Sequence, residues 1–383
     1  MLRNKDKGIT LIALVITIII LLILAGISIS ALTNQGLFKN AKTAQNATEK
    51  AEKEQGKRLN EYEDEINKYL NNANEDEKIG LITDNINKEL SKTDNTKLKD
   101  EKGNRIVVPA GFKIVNGATT VDKGIVIEDV TETATKGSQF VWIPVGTITK
   151  SDGTTATITL GRYDFDSTTG KESAYSGSYI EEDTNDASTL KKWGNTIAKN
   201  ITKFKNSVAT NGGYYIGRYE ARTATARSAA GNALTQITEK GTENVYNYVT
   251  QLQAAQLSQN MYNNDNFTSD LMNSYAWDTA TVFIQNCGTN AKYSRQNSLN
   301  TALLQTGTNS LTDTSKIDVQ CNIYDMASNI EEWTTETSYD SDSPCVYRGG
   351  YCISSNVFTS NRSNSYTSGR GNVGFRPLLY VNV

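Results

Sequence analysis

The sequence predicts an α+β protein of 383 residues. One long amino-terminal helix with a membrane-spanning segment comes first, and a head of short strands and a few helices, with disulfide potential, follows. Three observations carry this. Ile9–Ile29 is an almost unbroken apolar run without a charge; at about 1.5 Å per residue it matches the roughly 30 Å of a bilayer core. Leu37–Ala73 lacks proline and is rich in Ala, Glu, Lys and Gln, which are good helix formers. From about Asn104 the pattern turns to short β-type runs bounded by Gly, Asp and Pro.

Taken in order, residues 1–8 are a short basic leader and residues 9–73 a membrane and stalk helix. Leu59, Tyr62, Ile66 and Tyr69 step by three and four along it, giving one apolar stripe. Residues 74–103 are rich in Asn, Asp and Lys and read as a linker with one short helix. Within the head, 104–383, strands are expected at Arg105–Pro109, Gly124–Ile127, Phe140–Val145 and Tyr214–Glu220. Helices are expected at Asn244–Gln259 and Ser274–Asn286, the second stopping near Gly288. Loops and short strands fill the remainder, as in an α+β domain.

Composition narrows the function. The net charge is −3, with no basic stripe beyond the leader, which argues against nucleic acid as a partner. Histidine is absent, excluding His-based triads, His-ligated zinc and two-His iron centres. The four cysteines, Cys287, Cys321, Cys345 and Cys352, contain no C-x-x-C pair, so their spacing is no zinc pattern. They allow two disulfides in three connectivities, or buried thiols acting as small hydrophobes. A Cys345–Cys352 bridge across the Arg348–Gly350 turn is geometrically reasonable.

The amino terminus reads Gly8-Ile9-Thr10-Leu11-Ile12-Ala13 after the basic leader. It resembles a type IV prepilin. The resemblance implies cleavage after Gly8 by a prepilin peptidase, N-methylation of Ile9, anchoring in the cell membrane with the head outside the cell, and assembly with other pilin subunits. Ala13 departs from the family, which usually has Glu there.

Three segments characterise the head: Phe140-Val141-Trp142-Ile143-Pro144-Val145-Gly146; Asn322 to Thr334, containing Tyr324-Asp325-Met326-Ala327-Ser328-Asn329 and Glu331-Glu332-Trp333; and Tyr347-Arg348-Gly349-Gly350-Tyr351 with Val373-Gly374-Phe375-Arg376. Their order is similar to that of the formylglycine-generating-enzyme family, which implies a C-type-lectin-like fold over Asn104–Val383. From the residues themselves, Met326 and Trp333 are core anchors. Arg348 and Arg376 pair with carboxylates such as Glu332 or Glu336.

The family's oxidase needs two cysteines after the R-G-G turn, and here only Cys352 follows it, too early. The related iron enzymes need histidine. The head is therefore expected to be non-catalytic. The resemblance also implies calcium at the motif loop, held by Asp325, the Ser328 and Ile330 carbonyls, and Glu332; oxygen donors suit that ion.

Tyr351–Asn372 mixes aromatic and small polar residues with no acid, a composition suited to binding surfaces. Tyr351, Asn356, Phe358, Asn361, Asn364, Tyr366, Arg370 and Asn372 are its candidate contacts with an extracellular protein or glycan. The expected function is thus a pilin-like surface protein, minor or at a tip, whose lectin-like head binds a ligand. The alternatives are a structural minor pilin that primes assembly and a divergent oxidase of the formylglycine-generating type.

Overall fold

The computed structural model describes residues 11–34, scattered positions between 42 and 55, and 80–82, 86–88, 90–115, 120–183, 200–231, 233–299, 302–305, 316–340 and 342–383. The chain divides into two units, Met1–Glu77 and Lys78–Val383.

In the first unit the described positions between 42 and 55 are helical, and a helix runs Leu11–Asn34. Its side chains are described over residues 14–29, and its large apolar residues there, from Leu14 to Ile29, are exposed. Among the described residues no helix is long and apolar enough to cross a membrane. This corrects the expected spanning helix over 9–73 and, with it, the pilin-type anchoring in a cell membrane. Gly8, Ile9 and the Leu59–Tyr69 stripe lie outside the described residues.

The second unit corrects the expected class: the protein is mostly β-sheet with few helices. Its centre is a six-stranded sheet. In spatial order the strands are Phe267–Leu271, Pro377–Val381, Gly213–Gly217, Gln139–Pro144, Val126–Asp129 and Phe112–Ile114. All neighbours in it are antiparallel. The middle strands carry Phe140-Val141-Trp142-Ile143 and Tyr214-Tyr215-Ile216, all with no exposed surface. Such runs read as continuous apolar stretches because both faces are covered. Trp142 meets Tyr215 edge-on at 4.9 Å. Phe112, Phe140, Tyr262 and Phe267 form a second aromatic cluster.

A four-stranded sheet lies in the order Arg362–Ser365, Cys345–Arg348, Glu331–Thr337 and Val373–Phe375. Its last pair is parallel. The chain passes from Val373–Phe375 into Pro377–Val381 of the central sheet through Arg376 alone. Among the described residues of this unit the α-helices are Ile201–Asn211, Gln251–Met261 and Ser274–Cys287. Thr250 opens the second with a capping box: its hydroxyl accepts from the Gln253 amide while the Gln253 side chain accepts from the Thr250 amide. Residues 244–245, expected in that helix, instead pair with Arg222–Thr223 as a short antiparallel ladder. Thr96–Lys99, expected in a linker, is a strand beside Arg105–Val108, and its Leu98 is buried in the core.

Candidate functional site

The motif segments meet at the junction of the two sheets. Gly349 has φ +88°, and a Cβ on Gly350 would lie 1.9 Å from the Ala327 carbonyl oxygen, so the turn can rest on the Asp325–Asn329 loop only as glycine. Met326 and Trp333 are fully buried there. The Arg376 guanidinium takes both oxygens of Glu332, at 2.6 and 3.0 Å. It also donates to the carbonyls of Gly217 at 2.9 Å and Tyr324 at 2.8 Å. Arg376 and Glu332 have no exposed surface, so a charge-assisted fork holds the sheets together from inside.

Of the calcium set named above, Asp325, the Ser328 and Ile330 carbonyls and Glu332, the Glu332 carboxylate is already engaged. A guanidinium, already positive, occupies both oxygens of Glu332. Asp325 stands at φ 62°, and neither carboxylate oxygen has a hydrogen-bond partner among the described residues. Burial raises its pKa well above the usual carboxylate value, with the charges of Glu220 and Asp318 adding to the effect. Burial likewise pushes Glu220 up to about 7, against the opposing pull of Arg222.

The expected Cys345–Cys352 bridge does not form: the four cysteines are thiols. Cys345 starts a strand opposite Ser365. Cys352 lies beyond the glycine bend, where its amide donates to the Asn329 carbonyl at 3.0 Å, so the chain continues toward the motif loop instead of returning to Cys345. Burial pushes the Cys345 thiol up to about 12 and that of Cys352 to about 11.

Several of the candidate contacts in Tyr351–Asn372 are also engaged within the fold. Arg295 packs 3.8 Å from the centre of the Phe358 ring. The Asn361 carbonyl accepts from Arg348 Nε at 2.8 Å. The Asn372 amide donates to Glu331 at 3.2 Å. These three serve the fold. Tyr351 is half-buried and Asn356 exposed, and Tyr366 is 57% exposed with the Arg370 guanidinium 5.7 Å from its ring centre.

The remaining part of the segment, Ser360 to Asn364, faces a hairpin that the sequence did not single out. Tyr163–Phe165 pairs antiparallel with Glu172–Ala174. Tyr163, Asp164, Phe165, Tyr175, Tyr179, Ser360 and Arg362 line an open cleft of about 310 Å³. Its aromatic walls are fixed by hydrogen bonds. Tyr163 Oη donates to the Thr159 carbonyl at 2.8 Å, and Tyr179 Oη to Asn364 Oδ1 at 3.1 Å. The Tyr179 amide donates to Tyr175 Oη at 3.0 Å. The guanidinium carbons of Arg362 and Arg162 lie 4.0 and 4.2 Å from the Tyr175 ring centre, within cation–π range. Burial raises the pKa of Tyr163 and Tyr179 above the usual phenol value, so both hydroxyls stay protonated near neutrality.

Beneath the cleft lies an ionic lattice. Arg348 and Arg362 are cross-strand partners, and like charges directly opposite repel. Asp278, from the Ser274–Cys287 helix, separates them: Oδ1 takes Arg348 and Oδ2 takes Arg362 Nη2 at 2.7 Å. Glu336 accepts from Arg362 Nε at 2.9 Å and from Arg162. Asp278 and Glu336 have no exposed surface.

No family model, curated protein or solved structure matches this chain.

Proposed function

We propose that residues 78–383 form a non-catalytic binding domain whose ligand sits in the cleft between the Tyr163–Ala174 hairpin and Ser360–Asn364. One observation carries the reading: four aromatic side chains and Arg362 line an open cleft over buried ion pairs that hold its wall in place. Rigid aromatic residues give contact area at low entropic cost, and concave sites with a few placed polar groups are where ligands bind. The cysteines support the absence of thiol chemistry. A pKa near 11 or 12 at Cys352 and Cys345 leaves little thiolate, and the thiolate is the nucleophile.

The test is an array of immobilised glycans and proteins probed with labelled wild type and with the double variant Phe165→Ala, Tyr179→Ala. Wild type is expected to retain at least one class of ligand, and the variant to lose roughly tenfold or more in affinity, as hot-spot aromatics do. Retention unchanged by the variant, or no retention by wild type, overturns the reading.

A further inference from the structure

We infer that the ligand of this cleft is a neutral, polyhydroxylated ring, the chemistry of an uncharged sugar. This rests on the cleft being the binding site and adds the class of its ligand.

Charge is the first consideration. The ion-paired groups at the cleft and under it are Arg162, Arg348 and Arg362 against Asp164, Asp278 and Glu336. Three positive groups face three negative ones, and the charges of Glu172 and Asp340 add on the negative side beside Tyr163 and Tyr179, so the site offers no unpaired positive charge for an anion to neutralise. An anionic ligand would lose its hydration without an unpaired counter-charge, which is costly.

Donor geometry gives the same answer. An anion is best held by the two parallel N–H bonds of a guanidinium fork. Arg362 has spent that fork: Nε goes to Glu336 at 2.9 Å and Nη2 to Asp278 at 2.7 Å. What remains is Nη1, with a long 3.4 Å bond to the Tyr163 carbonyl and Asp164 Oδ1 at 4.0 Å. One N–H donor beside one carboxylate oxygen suits a hydroxyl, which both accepts and donates. Asp164 Oδ2 is already held by the amide and hydroxyl of Ser176, each at 2.8 Å, so that carboxylate is fixed in place and keeps Oδ1 for a ligand.

The apolar walls complete the match. Tyr163 and Phe165 stand edge to face at 6.4 Å, and Tyr179 is half-buried. Aromatic faces are electron-rich and their edges electropositive, so they favour a ligand that presents C–H groups on one side and hydroxyls on the other. The opening of about 310 Å³ lies at the small end of the range for ligand pockets, roughly 300–1,000 Å³. That suits one or two sugar rings better than a folded partner.

Saturation-transfer NMR on the full chain tests this. The probes are neutral oligosaccharides of glucose, galactose, mannose and N-acetylglucosamine, beside glucuronate and sialyllactose at equal concentrations. A neutral probe is expected to give a saturable signal that falls roughly tenfold in Phe165→Ala, and falls also in Asp164→Asn, whose near-identical shape spares the fold. Unfolding temperatures close to wild type show that both variants fold. A stronger signal from the charged probes, or none from any neutral probe, overturns the inference. An array result in which wild type holds a protein through the cleft, with no sugar bound, overturns the ligand class while leaving the cleft as the binding site.

Discussion

Arg348 and Arg362 stand directly opposite each other on adjacent strands, and the two oxygens of Asp278 keep them apart. The arrangement makes one carboxylate of the Ser274–Cys287 helix responsible for a wall of the cleft. Asp278→Asn would leave two facing guanidiniums with a neutral amide between them. Removing one partner of a buried ion pair costs about 3–5 kcal/mol. Denaturant unfolding of the variant should show a loss of that size; a loss near zero would mean that the lattice does not hold the wall.

The pairing of Glu332 with Arg376 gives a second expectation. Glu332→Gln should destabilise the protein by about 3–5 kcal/mol, because Arg376 would stay buried between the sheets without its counter-charge. The loss should be the same with calcium and with chelator, and the wild-type melting temperature should not rise with calcium. A calcium-dependent rise that Glu332→Gln abolishes would restore the metal site that the family resemblance implies.

Buried carboxyl groups set the response to pH. Burial pushes Glu220, Asp270 and Glu331 up to about 7 and Asp318 to about 6. Unfolded carboxyls titrate near 4, so between pH 4 and 7 the folded state binds more protons than the unfolded state. Stability from these groups is therefore fully present below about pH 4, falls as pH rises through 6 to 7, and levels off above. Each group contributes a slope of up to about 1.4 kcal/mol per pH unit. Asp122, lowered by hydrogen bonds from Thr120 and Ser151 against an opposing burial effect, works the other way, as do the exposed Asp152 and Asp166, while burial also raises Glu239, Asp325 and Glu332. Chemical denaturation at pH 5, 6, 7 and 8 should show falling stability; a rise across that range would contradict the burial of these carboxyls.

The cysteines give a direct count. A thiol reagent added to non-reduced protein should find four thiols per chain after denaturation. In the native state the modification should be slow, since thiolate is scarce when burial raises the pKa. Two thiols after denaturation would reveal a disulfide.

Much of the central sheet was legible in the sequence, because runs such as Phe140–Ile143 and Tyr214–Ile216 are buried throughout and so carry an apolar signal. The helix ending at Cys287 was legible for a related reason: its apolar residues repeat at helical spacing and Gly288 follows. Arg376 with Glu332 could be read as an ion pair, though not as the link between two sheets, since the parallel pairing of residues 331–333 with 373–375 joins segments far apart in the chain. The start of the Gln251–Met261 helix was missed because Thr250 with Gln253 makes a stronger start signal than the apolar spacing upstream of it. Thr96–Lys99 was hidden because Leu98 is its only apolar residue.

The cleft was illegible for a geometric reason. Its strands are three or four residues long, too short to show a period, and Tyr179 meets Asn364 across 185 positions of sequence. The local trace was the aromatic-acid-aromatic triplet Tyr163-Asp164-Phe165 after Gly161. The residues of Tyr351–Asn372 could be recognised as suited to binding, but not which of them the fold had already engaged.

The most direct measurement compares two double variants against the same immobilised ligand, with affinity as the readout. Phe165→Ala with Tyr179→Ala empties the cleft, whereas Tyr351→Ala with Tyr366→Ala strips the aromatic residues outside it. The cleft pair should lose roughly tenfold or more, about 1.4 kcal/mol, while the outer pair stays within about twofold, as peripheral contacts do. Loss in the outer pair with the cleft pair unchanged would contradict the account.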